Sequence, residues 1–169
     1  MSVVFVPRAV AVLAVSGLLG LGLSPLDVGL AQTKSKDTKT TEKAAKAKPH
    51  RVAIQVAENR PEVMNLALNN AKNVAEHFKS IGEPVTVEIV TYGPGLHMLR
   101  DDTSPVKQRI AQMALDEPSI TFAACTNTQT NMSKAEQKPI TLVSEAKMVP
   151  SGVVRLMDLQ SKGYAYIRP

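Results

Sequence analysis

Cysteine occurs once in this chain, at Cys125, and tryptophan not at all; the aromatic residues are three Phe and three Tyr. A single thiol excludes an intrachain disulfide and a Cys-x-x-Cys redox pair. No group of His, Cys and Asp stands at metal-ligand spacing, and no Gly-x-Ser-x-Gly elbow or glycine-rich phosphate loop occurs. The residues therefore call for no metal and no cofactor. With so few aromatics a small domain has little to build a core from, so assembly of several copies would bury useful apolar surface.

Positive charge is missing from the place where a nucleic-acid binder carries it. The chain has a net charge of +5, yet residues 51–169 hold thirteen Lys/Arg against twelve Asp/Glu. The excess sits in residues 32–50, "QTKSKDTKTTEKAAKAKPH", with six Lys against Asp37 and Glu42. That stretch has no apolar residue larger than Ala, cannot bury enough surface to order itself, and reads as a disordered linker. It serves either as a solvated spacer or as a weak attraction for anionic lipid or polymer. No nucleic-acid partner is expected.

Residues 1–31 have the pattern of an export signal. Arg8 precedes the apolar "AVAVLAVSGLLGLGL", which breaks at Pro25 and Asp27, and "GLA" at 29–31 offers small residues for cleavage before Gln32. The alternative is an uncleaved anchor, for which the run is short, since a spanning helix needs about 20 apolar residues. No cysteine stands at the cleavage site to carry lipid. A periplasmic or secreted location follows, with membrane contact only in transit.

The remaining segment, 51–169, alternates strand and helix patterns. "RVAIQVA" (51–57), "PVTVEIVTY" (84–92) and "SITFAAC" (119–125) read as buried strands, "AKMVP" (146–150) and "YAYIRP" (164–169) as shorter ones. Between them, Pro61 to Gly82 repeats Met64, Leu68, Ala71, Ala75 and Phe78 at helical spacing. Ser104-Pro105 starts a helix along Val106, Ile110 and Met113. Ser133 with Glu136 is a candidate capping box for a short helix, and 151–163 forms the last helix. This order implies one α/β domain, small and flavodoxin-like, with a mostly parallel five-stranded sheet and helices on both faces.

Ligand sites in such sheets lie beyond the carboxyl ends of the strands. The turns expected there are "ENRP", "YGPG", "CTNT" and "VPSG", which bring Gly93, Gly95, Cys125, Asn127, Thr128, Ser151 and Gly152 to one edge, with His97 just past the second turn. The glycines either let backbone approach a ligand or simply make turns. Asn127 and Thr128 either orient a ligand or form the turn. Cys125 is either a packed small hydrophobe or a thiolate stabilised by N–H groups of "TNTQTNMS", if the chain turns helical there. No acid/base pair accompanies the thiol, which favours a carrier or binding protein over a turnover enzyme.

The stretches "NLALNNAKN" (65–73), "VEIVTYGPGLHML" (87–99), "FAACTNT" (122–128) and "VPSGVVRLMDLQSKGYAYIRP" (149–169) resemble the DsrE/DsrF-like family of sulfur-oxidation and sulfur-relay proteins. The resemblance implies a small parallel α/β fold and assembly as trimers or hexamers. It also implies a single strand-end cysteine, here Cys125, that accepts sulfur as a persulfide from a donor protein, small thiol or polysulfide. Relay members follow their cysteine with an Arg-Gly turn, whereas this chain has "TNTQTNMS" and so resembles a Cys-x-Asn-Thr branch. A reactive acceptor is expected to be at least partly exposed.

Overall fold

The computed structural model describes residues 49–169; the expected export signal (1–31) and nearly all of the linker lie outside the described residues. Within them, five strands form one sheet in the order β4-β3-β2-β1-β5, every neighbour parallel. The strands are β1 (His50–Val56), β2 (Val85–Thr91), β3 (Ile120–Cys125), β4 (Ala146–Val149) and β5 (Ala165–Ile167), and the helices α1 (Pro61–Ser80), α2 (Lys107–Asp116), α3 (Thr126–Glu136) and α4 (Gly152–Ser161). A 3-10 helix, Gly93–Leu99, follows β2. The α/β class and the parallel five-stranded sheet agree with the sequence.

Alternation along the strands divides the sheet into two apolar faces. Val52, Ile54, Val56, Val87, Ile89, Phe122 and Ala124 join Met64, Leu68 and Ala71 of α1 and Ile110 and Met113 of α2 in one core. The interleaved Ala53, Val90 and Ala123 pack instead with Leu156 and Leu159 of α4. The chain steps one strand over at a time from β1 to β4, and α4 carries it back to β5 beside β1. Because such crossovers are right-handed, reversing the direction puts α4 on the opposite face.

Several local expectations shift. His50 belongs to β1 and not to the linker: its N–H donates to Pro84 O, and its ring stacks on Phe78 at 3.8 Å. The helix expected from Ser104-Pro105 begins at Lys107, because Ser104 Oγ instead donates to Met98 O and accepts from Val106 N. Ser133 and Glu136 do not open a helix; they lie in the last turn of α3, where Ser133 Oγ accepts from Ile140 N. α3 starts earlier because Cys125 itself caps it. None of its residues is buried, so its polar sequence carries no helical stripe to reveal it.

Candidate functional site

Parallel strands bring all their carboxyl ends to one edge, and the chain leaves β3 there directly into α3. Cys125 is the last residue of β3 and the N-cap of α3: its Sγ accepts from Thr128 N at 3.4 Å. The first turn of α4 arrives at the same sulfur, because β4 ends beside Cys125 in the pairing Cys125↔Val149. The backbone N–H groups of Gly152, the first residue of α4, and of Asn127 favour the thiolate from nearby. Two helix N-termini thus converge on one sulfur, each with unsatisfied donors and a positive dipole end.

Burial pushes the Cys125 thiol up, but hydrogen bonds from the Thr128 hydroxyl and from the N–H groups of Gly152, Thr128 and Asn127 outweigh it. The net direction is down, toward thiolate. The Thr128 hydroxyl is oriented by its second partner. Its Oγ1 accepts from Gly93 N at 2.9 Å, which leaves its proton for the sulfur. Further support lies behind. Arg100, with its side chain 1% exposed, bonds Asp102 at 2.9 and 2.8 Å and Glu136 Oε2 at 2.9 Å, tying the loop after the 3-10 helix to the end of α3.

The expected site residues take different parts. Thr128 donates its N–H to the sulfur, and its hydroxyl and the Gly152 N–H favour the thiolate. Asn127 contributes backbone only, its N–H also reaching Pro150 O at 3.3 Å, while its side chain is exposed. Ser151 does not reach the sulfur; its Oγ caps α4 by accepting from Val154 N. Gly95 is a packing residue, since a Cβ there would lie 2.2 Å from Val56 O. At Gly152 a Cβ would meet Tyr92 Cβ at 2.8 Å, so the missing side chain is what lets α4 come down onto the thiol.

His97 sits at this edge in a groove with Asn59, Thr128 and Asn131, its Nδ1 2.8 Å from Thr103 Oγ1. The thiol itself is buried, 5% exposed, against the expectation of a partly open acceptor. The N-terminus of α4 lies over it, and no motif in the sequence signals that cover. Sequence reasoning also missed Arg100, Asn59 and Asn131; the only available signal for Asn59 was its place in the "ENRP" turn.

Among the described residues no three His, Cys, Asp or Glu side chains gather to hold a metal, and no helix is long and apolar enough to cross a membrane. No protein-family model and no curated protein matches the chain. The structure is similar to that of MTH1491 from Methanobacterium thermoautotrophicum, a protein of unknown function. The two share 28% identity at a TM-score of 0.60, over 71% of this chain and 99% of that one.

Proposed function

We propose that this domain is a DsrE/DsrF-like sulfur carrier that holds a sulfur atom on Cys125 as a persulfide, outside the cytoplasm if residues 1–31 direct export. The observation that carries the reading is the sulfur's place as the N-cap of α3, accepting from Thr128 N at 3.4 Å beside the end of β4, a setting whose donors favour the anion. A thiolate so held is the attacking form in sulfur exchange. Its attack on a sulfane sulfur of polysulfide forms the new Sγ–S bond as the polysulfide S–S bond breaks, releasing a shortened polysulfide anion. With no second cysteine in the chain, discharge falls to an outside thiolate, from a small thiol or a partner protein. That thiolate takes the outer sulfur and returns Cys125 as thiolate.

Assembly into a trimer or hexamer is part of this reading. It is supported by Val153, Val154 and Met157, which α4 leaves 50%, 61% and 64% exposed. The rival is an oligomeric binding protein with a structural cysteine, favoured by the burial of Cys125. Intact mass after polysulfide treatment separates the two. The carrier gains sulfur that a reducing thiol removes and that Cys125→Ser never gains, whereas an unchanged wild-type mass leaves the binding reading.

A further inference from the structure

Thr128 has two roles at once: it touches Cys125 Sγ, and it walls a groove of about 430 Å³ between the 3-10 helix and α3. α3 presents Thr128, Asn131, Met132 and Ala135 along one face, the 3-10 helix presents His97, and Asn59 closes the β1 side. His97 is the one ionisable side chain in this lining, so no fixed charge lies along it. Its Nδ1 is engaged by Thr103, which leaves Nε2 for a ligand. Burial and the Arg100 cation lower its pKa against the opposing Glu136 and Asp102 carboxylates. The ring is therefore a neutral proton acceptor at neutral pH.

A second groove, of about 370 Å³, lies along α4, lined by Val149, Ser151 and Val154 with Arg155 and Asp158. Its two ionic residues pair with each other, and Arg155 is also committed to Glu88 at 2.7 Å. None of its lining residues donates to Sγ. The two grooves thus differ in kind, and only the first is lined by a residue bonded to the sulfur, Thr128.

We propose that the groove between the 3-10 helix and α3 is the seat of the second thiol, a small uncharged one that reaches Cys125 past Thr128 and gives its proton to His97. The assignment rests on the carrier reading. In the step, the incoming S–H proton passes to His97 and its sulfur attacks the outer sulfur of the persulfide. The new S–S bond forms on the acceptor as the Sγ–S bond breaks, and the electron pair returns to Cys125 as thiolate. The amides of Asn59 and Asn131 offer donors and acceptors to a neutral ligand, and the thioether of Met132 is a soft wall for sulfur.

The test uses the full chain, with iodoacetamide and iodoacetate as neutral and anionic probes of equal shape. Ala135→Trp and Asn131→Trp, both at exposed positions, fill the groove; Val154→Trp fills the other. Circular dichroism and melting confirm that each is folded. Labelling of Cys125 is expected to prefer the neutral probe and to slow by about ten-fold or more in the first two variants, since access then needs local opening. Val154→Trp is expected to label at the wild-type rate. Sulfur transfer from persulfidated protein to β-mercaptoethanol is expected to slow about a hundred-fold in His97→Gln. That loss shrinks as pH approaches the acceptor's own pKa.

Equal labelling in wild type, Ala135→Trp and Asn131→Trp overturns the groove, as does an equal slowing by Val154→Trp. Failure of the carrier reading has a different signature: polysulfide adds no mass to wild type while labelling still follows the groove. The groove then survives only as an access route, and its role in sulfur transfer is overturned.

Discussion

Among the described residues, the face of the sheet under α1, the 3-10 helix, α2 and α3 buries twenty in one core, whereas the face under α4 alone buries five. Hydrophobic stabilisation scales with the apolar area removed from water, so most of the stability resides on the first face. The thiol draws its donors from both. Asn127 and Thr128 belong to α3 and its well-braced flank; Gly152 belongs to α4, held by a thin core and the Arg155–Glu88 ion pair. One face thus fixes most of the fold, while the thiol sits where donors from both faces meet.

Substitutions on the two faces test that asymmetry most strongly. Phe122→Ala, in the larger core at 1% exposure, is expected to cost about 3–5 kcal/mol. Leu156→Ala, in the smaller core, is expected to cost about 2 kcal/mol, at the low end for such truncations. Denaturant unfolding measures both, and equal costs would remove the asymmetry.

Gly95→Ala falls between these two, at about 3 kcal/mol, because its Cβ would overlap backbone at Val56 that cannot move without breaking β1. A cost below about 1 kcal/mol would show that the 3-10 helix is not pinned to the sheet there.

Thr128→Val acts on the chemistry and far less on the fold. It removes the hydroxyl that favours the thiolate, so the thiol pKa is expected to rise. Alkylation rate against pH reads the shift. No shift would mean that the backbone donors alone hold the thiolate.

The smallest expected effect concerns the Arg100 clamp. Its hydrogen bonds hold Glu136 at about 2, from 4.5, and Asp102 well below the usual carboxylate range. Both folded values are depressed, so their contribution is complete above the unfolded pKa and disappears as pH falls from about 4.5 toward 2. Both carboxylates are about a third exposed, which keeps the effect modest. Wild type is expected to lose more stability than Glu136→Gln between those pH values in urea unfolding; parallel losses would put the acid sensitivity elsewhere.

The strands and α1 were legible in the sequence because β-branched runs and the Met64, Leu68, Ala71, Ala75 stripe report burial directly. α3 was hidden because a helix without a buried residue has no stripe, and its cap is a thiol, not the usual hydroxyl or carboxylate. Strand order alone brought Cys125, Thr128, Gly93 and Gly152 to one edge, as a parallel sheet requires. What remained invisible was long-range. The descent of Gly152 onto the sulfur depends on its contact with Tyr92, sixty residues away in sequence, and the covering of Cys125 follows from it.

The most direct measurement is a pH titration of the Cys125 thiolate absorbance in the folded protein against the unfolded chain. With two helix N-termini and the Thr128 hydroxyl on the sulfur, the folded midpoint is expected below the unfolded one. A folded midpoint at or above the unfolded value would mean that burial wins, and Cys125 would then be a packing residue and not a sulfur acceptor.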